Sequence, residues 1–185
     1  MSLLMNATQI QKLPVVTVNG GEDVAEVRDV VYSPAQGRLV GLTLNKRGRF
    51  AGRLREVLTA ESIHAIGKDA VMILDDSALL APQRAEEVAG VGGERNVVGD
   101  DVITEGGVSI GTVVDLALVV GSTGEVVGYR IDRKQGGPAY IPLPAQLAVS
   151  GSTLLVPDST LEFVRDDLVG LGAAVEEFRA RLEVS

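Results

Sequence analysis

The sequence predicts a mainly β protein: two tandem small β-barrels followed by a C-terminal amphipathic helix. Three observations carry that expectation. Residues 20–44 and 106–131 share one skeleton, apolar residues inside each copy recur with a period of two, and after Pro157 the apolar period becomes helical.

The shared skeleton comes first. Gly21, Val27 and Asp29 match Gly107, Val113 and Asp115 at an offset of 86. After the turn the offset is 87, pairing Gly37 with Gly124, Gly41 with Gly128 and Leu44 with Ile131, as one extra turn residue requires. Ile66–Leu74 then falls against Val149–Pro157 at an offset of 83. Within the copies, Val40, Leu42 and Leu44 alternate with smaller or polar neighbours, as do Val127, Tyr129 and Ile131, which predicts strands. Short strands with close turns suit a small barrel, which also removes edges open to aggregation. The first barrel is placed at residues 1–82, a linker at 83–95, the second barrel at 96–157 and the C-terminal amphipathic helix at 158–185. Pro82 and the cluster Gly90, Gly92 and Gly93 punctuate the linker around a helix-permissive "QRAEEVAG".

In the last segment, Leu161, Val164, Leu168, Leu171, Val175, Phe178 and Leu182 alternate spacings of three and four, a helical stripe about 33 Å long. Ser159 and Glu162 form a capping box, and Gly170 and Gly172 interrupt the stripe at about 1 kcal/mol each. Leu168, Leu171, Val175 and Phe178 are expected to pack on the chain's own barrel or to pair with a second copy. In Val113–Val120 both faces are apolar apart from Asp115, so Val114, Leu116 or Leu118 is expected to lie under the helix, the other barrel or another chain.

The run Gly107–Ile131, with Gly-x-Val-x-Asp at Gly111–Asp115, then "GEVVGYRI" and "YIPLPAQLAV", resembles the PRC-barrel domain. The first copy is similar, with Ala25-x-Val27-x-Asp29, "GRLVGLTL" and "IHAIGKDAVMI". This family is named for the H subunit of the photosynthetic reaction centre and also supplies half of a ribosome maturation factor. The resemblance covers both repeats and not the C-terminal helix. It implies a small β-barrel used in protein interaction or assembly, and it implies no catalytic residue.

Composition narrows the chemistry. There is no Cys and a single His, His64, so thiol chemistry, thiolate metal sites and His-rich metal sites are excluded by inventory. "GSTGEVVG" (Gly121–Gly128) looks like a phosphate loop, yet Tyr129 and Arg130 stand where such a loop needs Lys and Ser or Thr opening a helix. A three-residue hairpin loop with Gly124 at positive φ fits better. Asp29 and Asp115 are expected to accept hydrogen bonds from nearby turns, each in its own barrel, and His64 to be structural or exposed.

Net charge is −8, and it is uneven: residues 1–92 carry 10 basic and 11 acidic groups, residues 93–185 carry 7 and 14. An acidic surface disfavours RNA and anionic membranes. One basic cluster stands out, Lys46, Arg47, Arg49, Arg53 and Arg55 around Phe50. The leading expectation is a non-enzymatic adaptor that binds an unidentified protein, or itself through the C-terminal helix or second barrel. The alternative is an RNA-processing or ribosome-assembly accessory using Lys46–Arg55. No cofactor is implied. The longest apolar run, Leu116–Val120, is far short of the about 20 residues of a membrane span, so a cytoplasmic chain is expected.

Overall fold

A computed structural model describes residues 3–89, 96–121, 124–144, 147 and 149–184. Among them the chain runs β1 (Leu4–Asn6), α1 (Ala7–Ile10), β2 (Pro14–Thr17), β3 (Asp23–Ser33), β4 (Arg38–Asn45), β5 (Arg53–Thr59), β6 (Ala65–Ile66), β7 (Val71–Ile73) and α2 (Pro82–Ala89). It continues with β8 (Asp101–Thr104), β9 (Ser109–Val119), β10 (Val126–Arg133), β11 (Gly137–Pro142), β12 (Val149–Ser150), β13 (Thr153–Val156) and α3 (Leu168–Val184). The protein is mainly β, with two sheets and a C-terminal helix.

Both sheets have the same plan. The first runs β5-β4-β3-β2-β7-β6 and the second β11-β10-β9-β8-β13-β12. In each, antiparallel pairs are joined by one parallel pair, β2 with β7 and β8 with β13. The β3–β4 and β9–β10 turns place Gly37 (φ 64°) and Gly124 (φ 76°) at corresponding positions in the left-handed region. Ser122 and Thr123 lie outside the described residues.

Two β-bulges recur as well. Opposite β4, Arg28 is the extra residue between Val27 and Asp29, and opposite β10, Val114 is the extra residue between Val113 and Asp115. A second slip makes Val40 and Val127 the extra residues of β4 and β10. Each bulge reverses which side chains face inward. Val113 is therefore in the core, and so are Leu116 and Leu118, three and five residues on.

The core runs through both sheets as one cluster, from Met5 to Val156. β1, placed with the first barrel by its position in the chain, instead pairs with β9 of the second sheet, Leu4 opposite Val119 and Asn6 opposite Ala117. The C-terminal half of β9 extends past β8 and would leave an open edge there, which β1 fills and where Met5 buries.

After each sheet the chain repeats a further device. Leu80 bridges Val57 on β5, and Arg165 bridges Tyr140 on β11, each closing an outer sheet edge with a reciprocal pair of backbone bonds. A helix comes next in both cases. Ala85 of α2 packs with Val31, Val40 and Val57, and Leu171 and Val175 of α3 pack with Ala117, Val127 and Tyr140, the corresponding sheet positions. The segment expected as a linker is thus helical and packed over Pro82–Ala89, while residues 90–95, with the Gly90, Gly92 and Gly93 cluster, lie outside the described residues.

The C-terminal helix also begins later than its apolar stripe. Ser159 and Glu162 fall in a 3-10 turn, Asp158–Phe163, and the backbone of Arg165 is committed to Tyr140, which breaks the helix. α3 starts at Leu168, where the Asp167 carboxylate accepts from Gly170 N at 2.6 Å and caps the first turn. Gly170 and Gly172 sit near its start and do not divide it.

One position bears a cost. Lys12 has φ 70°, and the corresponding residue in the second copy is Gly99 (φ 100°); both donate to the carbonyl of the matching valine, Val27 or Val113, at 2.8 Å. Glycine adopts this conformation freely and lysine does not. Lys12→Gly is expected to stabilise the fold by about 0.5 kcal/mol, the relief of strain outweighing the added freedom of the unfolded chain. A urea midpoint that rises with an unchanged m-value is the check; a fall contradicts it.

Candidate interaction surfaces

Buried Asp115 and exposed Asp29 are structural acceptors. Asp115 Oδ1 accepts from Thr8 N at 3.2 Å and from its own neighbour Leu116 N at 2.8 Å, and Oδ2 accepts from the Thr8 hydroxyl. Asp29 Oδ1 accepts from Gln11 Nε2 at 2.9 Å. Thr8 and Gln11 are one turn apart, so the two carboxylates grip α1 from opposite sheets. They line one cleft of about 360 Å³ with Tyr32 and Val114, rather than sitting apart as the separate repeats implied. Asp115 is fully engaged in holding α1 against the sheets, and Asp29 adds one contact from the solvent side.

The other buried polar contact joins the sheets. The Tyr32 and Tyr129 hydroxyls are 2.8 Å apart and the rings meet edge to face, centroids 6.1 Å apart. Burial pushes the Tyr32 hydroxyl up to about 12, and burial together with the neighbouring Tyr32 and Asp100 raises Tyr129 further. Neither is a proton donor near neutral pH. His64 is exposed, its backbone N–H bound to Met72 O. Among the described residues no group of three or more His, Cys, Asp or Glu could hold a metal ion.

The glycines of the second hairpin serve close packing. A Cβ on Gly124 would lie 2.6 Å from Leu39 Cβ, and one on Gly128 2.6 Å from Ile141 O and 2.8 Å from Leu171 Cδ2. Gly124 also accepts from Leu39 N at 2.8 Å, so this turn abuts the first sheet.

The apolar residues of β9 divide in two. Leu116 and Leu118 enter the shared core, while Ala117 and Val119 face α3. Val114, expected to be covered, is 39% exposed because it is the bulge residue. On α3, Leu171, Val175 and Phe178 are buried within the same chain, with Leu168 against them. Their spacing i, i+4, i+7 is the inward stripe of a docked helix. The stripe is used in cis, against the chain's own sheet, rather than in a helix–helix pairing.

The basic cluster is the opposite case. Lys46–Gly52 links β4 to β5, and Phe50 at its tip is 96% exposed. Arg47 is held by Asp23 at 2.6 Å and Glu26 at 3.1 Å. Lys46, Arg49, Arg53 and Arg55 are exposed and make no ion pair among the described residues. Arg47 therefore anchors the loop, and the other four flank the uncovered Phe50 along the chain, with Arg53 and Arg55 on β5.

A groove that the sequence did not indicate runs between α3 and the second sheet. About 350 Å³ in volume, it is lined by Leu4, Val119, Val127 and Val175, floored on the helix side by Gly172, with Glu176 at its rim. Arg179 closes one end through an ion pair with Glu125 at 2.6 Å. Its only trace in the sequence is Gly172, a residue without a side chain inside a helical stripe.

Residues 4–80 match the family model of the PRC-barrel domain. The first half of the chain is thus similar to a PRC-barrel domain. None of the curated proteins compared matches the chain. The matched segment carries the Phe50 tip, while the groove lies mostly on α3 and the second sheet, beyond the matched residues. Among the described residues no helix is long and apolar enough to cross a membrane.

Proposed function

We propose that the chain is a non-enzymatic adaptor built from two PRC-like barrels, and that the β4–β5 hairpin tip is its contact with a protein partner. One observation carries this reading: the Asp115 carboxylate and the Tyr32–Tyr129 hydroxyl pair are spent on internal contacts, whereas Phe50 and four cations without ion pairs among the described residues are left outward at a tip the fold does not use. The match to the PRC-barrel family supports an interaction module. An uncovered aromatic amid arginines is also the composition of an interface hot spot.

The same four cations favour a second reading, an RNA-processing or ribosome-assembly accessory in which Phe50 stacks on a base and Arg49, Arg53 and Arg55 meet phosphates. One experiment separates the two. A photo-crosslinking phenylalanine analogue at position 50 of the full chain, irradiated in the native cell, is expected to give discrete protein adducts. They should vanish with Arg49→Glu plus Arg53→Glu and withstand nuclease. Nuclease-sensitive adducts would install the RNA reading, and labelling no stronger than at the exposed control position Leu155 would sink both.

A further inference from the structure

We infer that the Phe50 tip of one copy seats in the groove between α3 and the second sheet of another, so that the chain assembles head to tail. This deepens the adaptor reading and rests on it: the tip's partner here is a second copy of the same chain.

The two surfaces match in shape and charge. The tip presents one aromatic ring, 96% exposed, with exposed Arg49, Arg53 and Arg55 within five residues of it along the chain and without ion pairs among the described residues. The groove presents an apolar lining, Leu4, Val119, Val127 and Val175, in about 350 Å³, room for one aromatic side chain. Glu176 at its rim, with Glu177 and Glu183 further along α3, is exposed and makes no ion pair among the described residues. Arg179 adds no repulsion, being neutralised by Glu125. A basic collar thus meets an acidic rim around an aromatic plug.

A chain cannot fill its own groove. Glu125, on the groove, bridges Arg38 at the start of β4. Phe50 lies beyond the far end of that strand, eight residues long and so about 23 Å away. The contact is therefore made in trans between two unlike surfaces, a heterologous pairing.

Sedimentation velocity on the full chain, from low micromolar to several hundred micromolar, tests this. The average mass is expected to rise with concentration and to fall back with added salt. Phe50→Asp should weaken association about thirtyfold, as loss of an aromatic hot spot does. Gly172→Leu should do the same by filling the groove. Leucine is the better helix former, and a Cβ at 172 would stand 3.7 Å from Leu4 Cδ1, an ordinary contact, so this variant keeps its fold. Circular dichroism confirms that for both. An equimolar mixture of the two variants retains one sound tip and one sound groove and should give a one-to-one dimer and nothing larger.

A wild-type chain that stays monomeric throughout, a Phe50→Asp chain that associates like wild type, or a mixture without dimer each overturns the pairing. The adaptor reading is judged separately, by the adducts formed at position 50: heterologous protein adducts on a monomeric chain would refute self-assembly alone.

Discussion

Phe178→Ala is expected to cost about 3–5 kcal/mol, the range for deleting a fully buried aromatic side chain from a site that cannot collapse. Phe178 is fully buried and meets Phe163 edge to face with ring centroids 5.4 Å apart. Ala174 and Leu182 complete that small cluster, so few neighbours can move into the space. The guanidinium groups of Arg165 and Arg181 stand 5.8 and 6.0 Å from the Phe163 ring, and Arg181 also pairs with Glu162. Phe178 is therefore what locks α3 onto the turn that precedes it. Because α3 in turn covers Ala117 and Val127, its release would uncover part of the second sheet. Denaturant unfolding measures the cost, and limited proteolysis should show early cleavage within α3. A loss below about 1 kcal/mol would mean that the helix is held elsewhere.

The second large effect lies where the sheets meet. Tyr32→Phe and Tyr129→Phe each strip a buried hydroxyl of its partner and are expected to cost about 1–3 kcal/mol, while the double variant should cost clearly less than the sum. Additive losses would show that the 2.8 Å contact contributes nothing of its own. The same pair makes stability pH-dependent at the alkaline end. A free tyrosine ionises near 10, but in the folded chain Tyr32 is pushed up to about 12 and Tyr129 is raised as well. The unfolded chain therefore releases its protons first. Stability from these groups is complete below pH 10 and declines as pH rises from 10 through 12, at about 1.4 kcal/mol per pH unit for Tyr32. The double phenylalanine variant should lose that slope; a slope identical to wild type would assign the alkaline unfolding to other groups.

The repeat, the strands and their turns were legible because they rest on local chemistry: alternation, and glycines at positive φ such as Gly37 and Gly124. The sequence hid those features in which one residue changes the geometry without changing the composition. Val114 and Val127 read as ordinary members of apolar strands, yet each is a bulge residue that reverses the inward face of its strand from that point on. Val114 is thereby exposed, and Ala117 and Val119 rather than Leu116 and Leu118 receive the helix. Likewise Leu161 and Val164 continue the helical spacing, but backbone bonding of Arg165 to Tyr140 overrides it. The Phe50 tip was readable as composition; that Arg47 anchors it while its neighbours stay without ion pairs among the described residues depends on Asp23 and Glu26, which lie on another strand. The groove joins Leu4 to Gly172, and no short pattern links residues so far apart.

β1 gives the molecule a temporal order. Its partner strand, β9, begins at Ser109, so β1 lacks that partner until the whole first sheet and then β9 have emerged from the ribosome behind it. Domains ordinarily fold from the N-terminus as they emerge. Here β1 must wait, and Met5 remains uncovered during synthesis until the second sheet forms around it.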